Sequence, residues 1–141
     1  MVKFPVLFWI ITLSVIVVDQ ISKYIIEIVQ PNITLGVLQI HSSYNTGAGF
    51  GILQGQTLIL AFVSLLVALG VILYYPQIPK EKIPQVLFSL FLGGVLGNAI
   101  DRLFRRAVVD FIDFSFWPSF NVADAAISVA VIGLIWWSWK N

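Results

Sequence analysis

From Leu58 to Tyr75 the chain is an uninterrupted apolar stretch without a single charge. As a helix rising about 1.5 Å per residue it would be about 27 Å long, close to the hydrocarbon thickness of a bilayer. The whole chain has the same character. Of its 141 residues 59% are hydrophobic and 11% charged, and the mean hydropathy of +0.95 lies outside the usual balance of a soluble domain.

Three further runs have comparable length. Phe4 to Val18 is apolar, and the same character resumes after Asp19 and Lys23 in Tyr24, Ile25, Ile26 and Ile28. A secretory signal would also begin with Lys3 and an apolar core, but no small-residue cleavage site follows, so the segment reads as a retained helix. Ile83 to Ile100 forms another span, in which Gly93 and Gly97 have the GxxxG spacing that lets a neighbouring helix approach closely. The last run, Val122 to Trp139, ends in Trp136, Trp137, Trp139 and Lys140, an aromatic and cationic anchor. The expected architecture is one all-α membrane domain over residues 1–141, with spans at 4–26, 58–75, 83–101 and 122–139.

Between the spans lie two longer segments, 29–56 and 102–120, and a short turn from Pro76 to Pro84. The first segment has no Lys or Arg and contains β-prone pieces such as Val37 to His41; it reads as an extramembrane loop with some strand. Four spans put both termini and the short turn on one side and the two longer segments on the other. A Lys/Arg count does not orient them: Lys3, Lys80, Lys82 and Lys140 on one side balance Lys23, Arg102, Arg105 and Arg106 on the other.

The chain has no cysteine and one histidine, His41, which excludes thiol catalysis, disulfides and a multi-histidine metal site. The net charge of +1 gives no footprint for nucleic acid. A serine or threonine nucleophile would have to pair with His41, which sits in a polar stretch, so carboxylates are the groups best placed to carry chemistry. The polar residues converge on one membrane face: Asp19 and Lys23, Asn45 with Gly47, Asn98 with Asp101 and Arg102, and Asn121 with Asp124. Asp19 and Lys23 are spaced i, i+4, so the pair is either a helix ion pair or a contact for one end of a substrate. Asp101, close to Arg102 and Arg105, suits a structural clamp better than a proton shuttle.

Asp110 differs, because Val108, Val109, Phe111 and Ile112 surround it and desolvation should raise its pKa. On a strand, Val108, Asp110 and Ile112 would share one face while Asp113 pointed to the other. The stretch Asn121-Val122-Ala123-Asp124 is a variant of the capping box; capping alone explains it, and a carboxylate beside the small Ala123 leaves room for a substrate backbone. Two carboxylates sharing a proton are the least that metal-free peptide hydrolysis needs. The alternatives are a small proton-coupled carrier, whose intramembrane acids would form a relay, and a non-catalytic lipid-binding protein. The second span carries no charge, the third carries none before Asp101 at its end, and the acids crowd one face, which argues against a carrier.

Five blocks then carry a resemblance: Asp19 to Lys23, Tyr44 to Gly51, Gly93 to Arg102, Val108 to Ile112 and Phe120 to Asp124. In that order and spacing they resemble the bacterial lipoprotein signal peptidase family, signal peptidase II. Gly49 stands where that family usually has alanine, and Ala107 where it commonly has glycine. The resemblance implies a metal-independent aspartyl endopeptidase of the bacterial cytoplasmic membrane, acting without a cofactor. It would release signal peptides from diacylglyceryl-modified prolipoproteins just before the lipidated cysteine. Asp110 and Asp124 would be catalytic, and Asp19, Asn45, Asn98, Asp101, Arg102 and Asn121 would surround the dyad and the substrate; Lys23, paired with Asp19, and Gly47, beside Asn45, are expected to bind substrate or support the same site. Both termini would be cytoplasmic and the site near the outer face. Membrane lipid and the prolipoprotein are the expected partners, nucleic acid is not, and the chain is expected to act as a monomer. A small β-rich platform on the outer face, formed mainly by residues 29–56, would help hold the substrate over the dyad.

Overall fold

The computed structural model describes residues 4–140, so Lys3 lies outside the described residues. Helix α1 (Phe4–Val29) leads into strands β1 (Asn32–Leu35) and β2 (Leu38–Asn45), a 3-10 turn at Gly49–Gly51, and α2 (Thr57–Tyr74). A turn at Tyr75–Gln77 returns the chain into α3 (Lys82–Phe104), followed by β3 (Val108–Phe114), β4 (Trp117–Phe120) and α4 (Val122–Lys140). All four helices are long and apolar enough to cross a membrane.

Helix α3 is the inner one. It is 56% buried over its span, against 17 to 22% for the others. Its glycines allow this. A Cβ on Gly93 would stand 2.7 Å from the Val15 side chain of α1, and one on Gly97 would stand 2.7 Å from Asp19 Oδ2. The GxxxG pair therefore seats α1, while Gly94, whose Cβ would lie 2.5 Å from Ala123 O, seats the start of α4. Towards the Tyr75 end, Phe8, Ala68, Ile78, Leu92 and Val95 close an apolar core.

At the other end lies an antiparallel sheet in the order β1-β2-β3-β4. Residues 29–56 supply only two of its strands, and residues 102–120 supply the other two. The platform is thus shared between the segments, because β2 pairs with β3 from Leu38 opposite Phe114 to Asn45 opposite Val108. Two helices also run further than expected, α1 to Val29 and α3 to Phe104. Their polar last turns stay helical because they neutralise each other: Arg105, just past α3, bonds Glu27 of α1 at 3.0 Å. Arg106 then takes a left-handed conformation (φ 63°) to turn the chain into β3, a position that usually favours glycine.

Candidate active site

Strand β3 brings Asp110 opposite Ser43 of β2. Its alternation sends Val109 and Phe111 into a cluster against Ile26, while Val108 and Asp110 line a cleft of about 860 Å³. Asp113 faces away and pairs with His41 at 2.9 Å. Ile112 departs from strict alternation and packs against the Val109 cluster, next to a register shift between Ile40 and Ser43 of β2.

Asp124 enters the same cleft from the first turn of α4. It does serve as a helix cap: Asn121 Oδ1 accepts from Asp124 N at 2.9 Å, and Asp124 Oδ2 accepts from Asn121 N at 3.2 Å. Capping occupies only one carboxylate oxygen. The other, Oδ1, accepts from Asn98 Nδ2 at 2.8 Å.

Two asparagines connect the acids. Asn121 Nδ2 donates to Asp110 Oδ1 at 2.8 Å and to Asn98 Oδ1 at 3.1 Å. Asn98 in turn holds Asp124, so the carboxylates from β3 and α4 are fixed by one amide chain. Burial pushes the Asp110 carboxyl from an ordinary 3.8 up to about 7, and the charge of Asp124 acts in the same direction. Hydrogen bonds from Asn45 and Asn121 and the charge of Lys23 offset part of that rise.

Behind the amides lies a second layer with no access to solvent. Lys23 Nζ sits 2.8 Å from Asp19 Oδ2 and 2.9 Å from Asp101 Oδ2, all three side chains being 0% exposed. Lys23 also donates to Asn98 Oδ1 at 3.1 Å. Asp19 Oδ1 accepts from Ala123 N, and Asp101 Oδ2 accepts from Val109 N, at 2.9 and 3.0 Å. The two buried carboxylates therefore grip the backbone beside each cleft-lining acid. The Asp19–Lys23 pair is neither a surface ion pair nor open to a substrate, because α3 covers it.

The residues named from sequence thus fall into two sets. Asn45, Asn98, Arg102, Asp110 and Asp124 line the cleft, whereas Asp19, Lys23, Asp101 and Asn121 are fully buried behind it. Arg102 donates to Ser64 Oγ at 3.3 Å and makes no ion pair among the described residues. Gly47 shapes the loop: its N–H bonds Asn45 Oδ1 at 2.9 Å, and a Cβ there would meet Ile52 O at 2.6 Å. Sequence reading missed Gln20, whose amide bonds Asp101 Oδ1 and whose oxygen accepts from Arg105 at 2.8 Å. The signals for it in the sequence are its place beside Asp19 and inside the block from Asp19 to Lys23.

The chain resembles known proteins in both sequence and fold. A family model described as signal peptidase (SPase) II matches residues 11–140. The lipoprotein signal peptidase of Moorella thermoacetica is 42% identical over 92% of this chain and 90% of its own length. That of Anoxybacillus flavithermus is 35% identical over 96% and 86%. A solved bacterial membrane enzyme, determined by the in meso method at 2.3 Å resolution, superposes with a TM-score of 0.88. It is 31% identical, and the match covers 94% of this chain and 87% of that one. Sequence, architecture and cleft together make this four-helix membrane protein a member of the signal peptidase II family.

Proposed function

We propose that this chain cleaves signal peptides from diacylglyceryl-modified prolipoproteins just before the lipidated cysteine, with Asp110 and Asp124 as the catalytic pair. The observation that carries the reading is that both carboxylates open on one cleft and are linked through Asn121 and Asn98. The pair holds one proton between its members at neutral pH, in keeping with the raised Asp110. A water between them gives a proton to the ionised member and attacks the scissile carbonyl carbon, while the protonated member donates to the carbonyl oxygen. The tetrahedral gem-diol then collapses: the leaving amine takes the proton of one member while a gem-diol hydroxyl gives its proton to the other, which restores the singly protonated pair. No step calls for a metal or a cofactor.

Of the other predicted residues, Asn45 and Arg102 line the cleft and contact the substrate. Asp19, Lys23, Asn98, Asp101 and Asn121 hold the two acids in position, and Gly47 keeps the loop close to the cleft. The sheet and cleft face the outer leaflet, both termini are cytoplasmic, the 141 residues form one peptidase domain, and the chain works as a monomer. Lipid reaches the site in the membrane plane along with the modified cysteine. Asp110→Asn and Asp124→Asn should each leave insertion and folding intact and abolish prolipoprotein cleavage. Normal processing by either variant removes that residue from the mechanism.

A further inference from the structure

A serine inside a membrane-spanning helix has an inexpensive partner in a backbone carbonyl of the preceding turn. Ser14, Ser22, Ser64 and Ser89 all use it, donating to Ile10 O, Asp19 O, Leu60 O and Val86 O at 2.7 to 2.8 Å. Ser128 does not. Its hydroxyl makes no hydrogen bond among the described residues, and the residue is exposed and lines the cleft together with Ala125 and Val129. Ser138 also lacks such a bond, but it lies two residues from the end of α4, in the aromatic and cationic anchor. Ser128 is the only one of the six helix serines with a free hydroxyl opening on the site.

Its position fits a ligand. Ser128 follows Asp124 by four residues, so it shares that helix face and lies roughly 6 Å further into the span. A peptide bond reached by two carboxylates must be extended, so an apolar substrate helix entering from the membrane has to end at the cleft. The last carbonyls of such a helix have no partner of their own, and at that depth little water is available to supply one. A donor one turn inward from the catalytic pair meets that need.

We propose that Ser128 is a substrate-binding residue whose hydroxyl donates to a backbone carbonyl on the membrane side of the scissile bond. The inference rests on the peptidase reading above and names a subsite within it. The contact is present before and during reaction, so it contributes to binding and not to the chemical step.

The test uses the purified full chain with a diacylglyceryl-modified prolipoprotein peptide, comparing wild type, Ser128→Ala and Ser128→Thr. Ser128→Ala should raise KM about five- to tenfold, the loss of one hydrogen bond, with kcat unchanged. Ser128→Thr keeps the donor and should stay close to wild type. An unchanged KM in the alanine variant, a loss confined to kcat, or a threonine variant as impaired as alanine overturns the assignment while leaving the peptidase reading intact. A wild-type chain that does not cleave overturns both.

Discussion

Asp110→Asn should make the protein more stable, and only above acidic pH. An unfolded aspartate loses its proton near 3.8, whereas Asp110 in the fold keeps it until about 7. Between those values the folded protein holds the extra proton, so stability falls as pH rises. Below 3.8 the carboxyl is neutral in both states and contributes nothing. A separation of about 3 pH units at about 1.4 kcal/mol each corresponds to about 4 kcal/mol. Water entering the open cleft screens part of this, leaving about 2 to 4 kcal/mol. Asparagine has the same shape and still offers Asn121 Nδ2 an acceptor, but carries no charge to desolvate. Unfolding of both proteins in detergent at pH 4 and pH 8 isolates the pair, because every titration outside Asp110 and its neighbour Asp124 is common to the two. The variant should gain about 2 to 4 kcal/mol on the wild type between those values. A stability difference independent of pH would refute the argument that burial, not solvation, governs Asp110.

Two further outcomes follow from the layer behind the cleft and from the helix contacts. Lys23→Met removes the cation between two fully buried carboxylates and should cost about 3 to 5 kcal/mol; adding Asp19→Asn should restore part of it, as measured by unfolding in detergent. Gly94→Ala drives a Cβ to 2.5 Å from Ala123 O, displacing the start of α4 and Asp124 with it, and should cost about 1 to 3 kcal/mol together with cleavage rate. By contrast Gly49→Ala, with nothing within 4 Å of the new Cβ, should leave both stability and cleavage unchanged.

The spans were legible because apolar length is a property of contiguous residues. Their ends were less so. Glu27 falls just past the span expected at 4–26, yet α1 continues to Val29 because its partner Arg105 arrives from the end of α3. The same long-range pairing hid the burial of the Asp19–Lys23 pair, which from spacing alone could equally be a surface contact. Asp110 was legible from its apolar neighbours; the capping pattern at Asp124 signalled only a helix start, and the small Ala123 beside it, with Asp110 on the same side, was what pointed to the site. Their common cleft needed the pairing of β2 with β3, and no local pattern states that residues 39 and 113 will meet. Ser128 was invisible, since a helix serine is ordinary until its hydroxyl is found without a partner.

The most direct test of the account is mass spectrometry of a diacylglyceryl-modified prolipoprotein after incubation with the purified chain in lipid or detergent. The account predicts one released signal peptide, with the cut immediately before the lipidated cysteine. An intact substrate, or a cut at any other peptide bond, would contradict it.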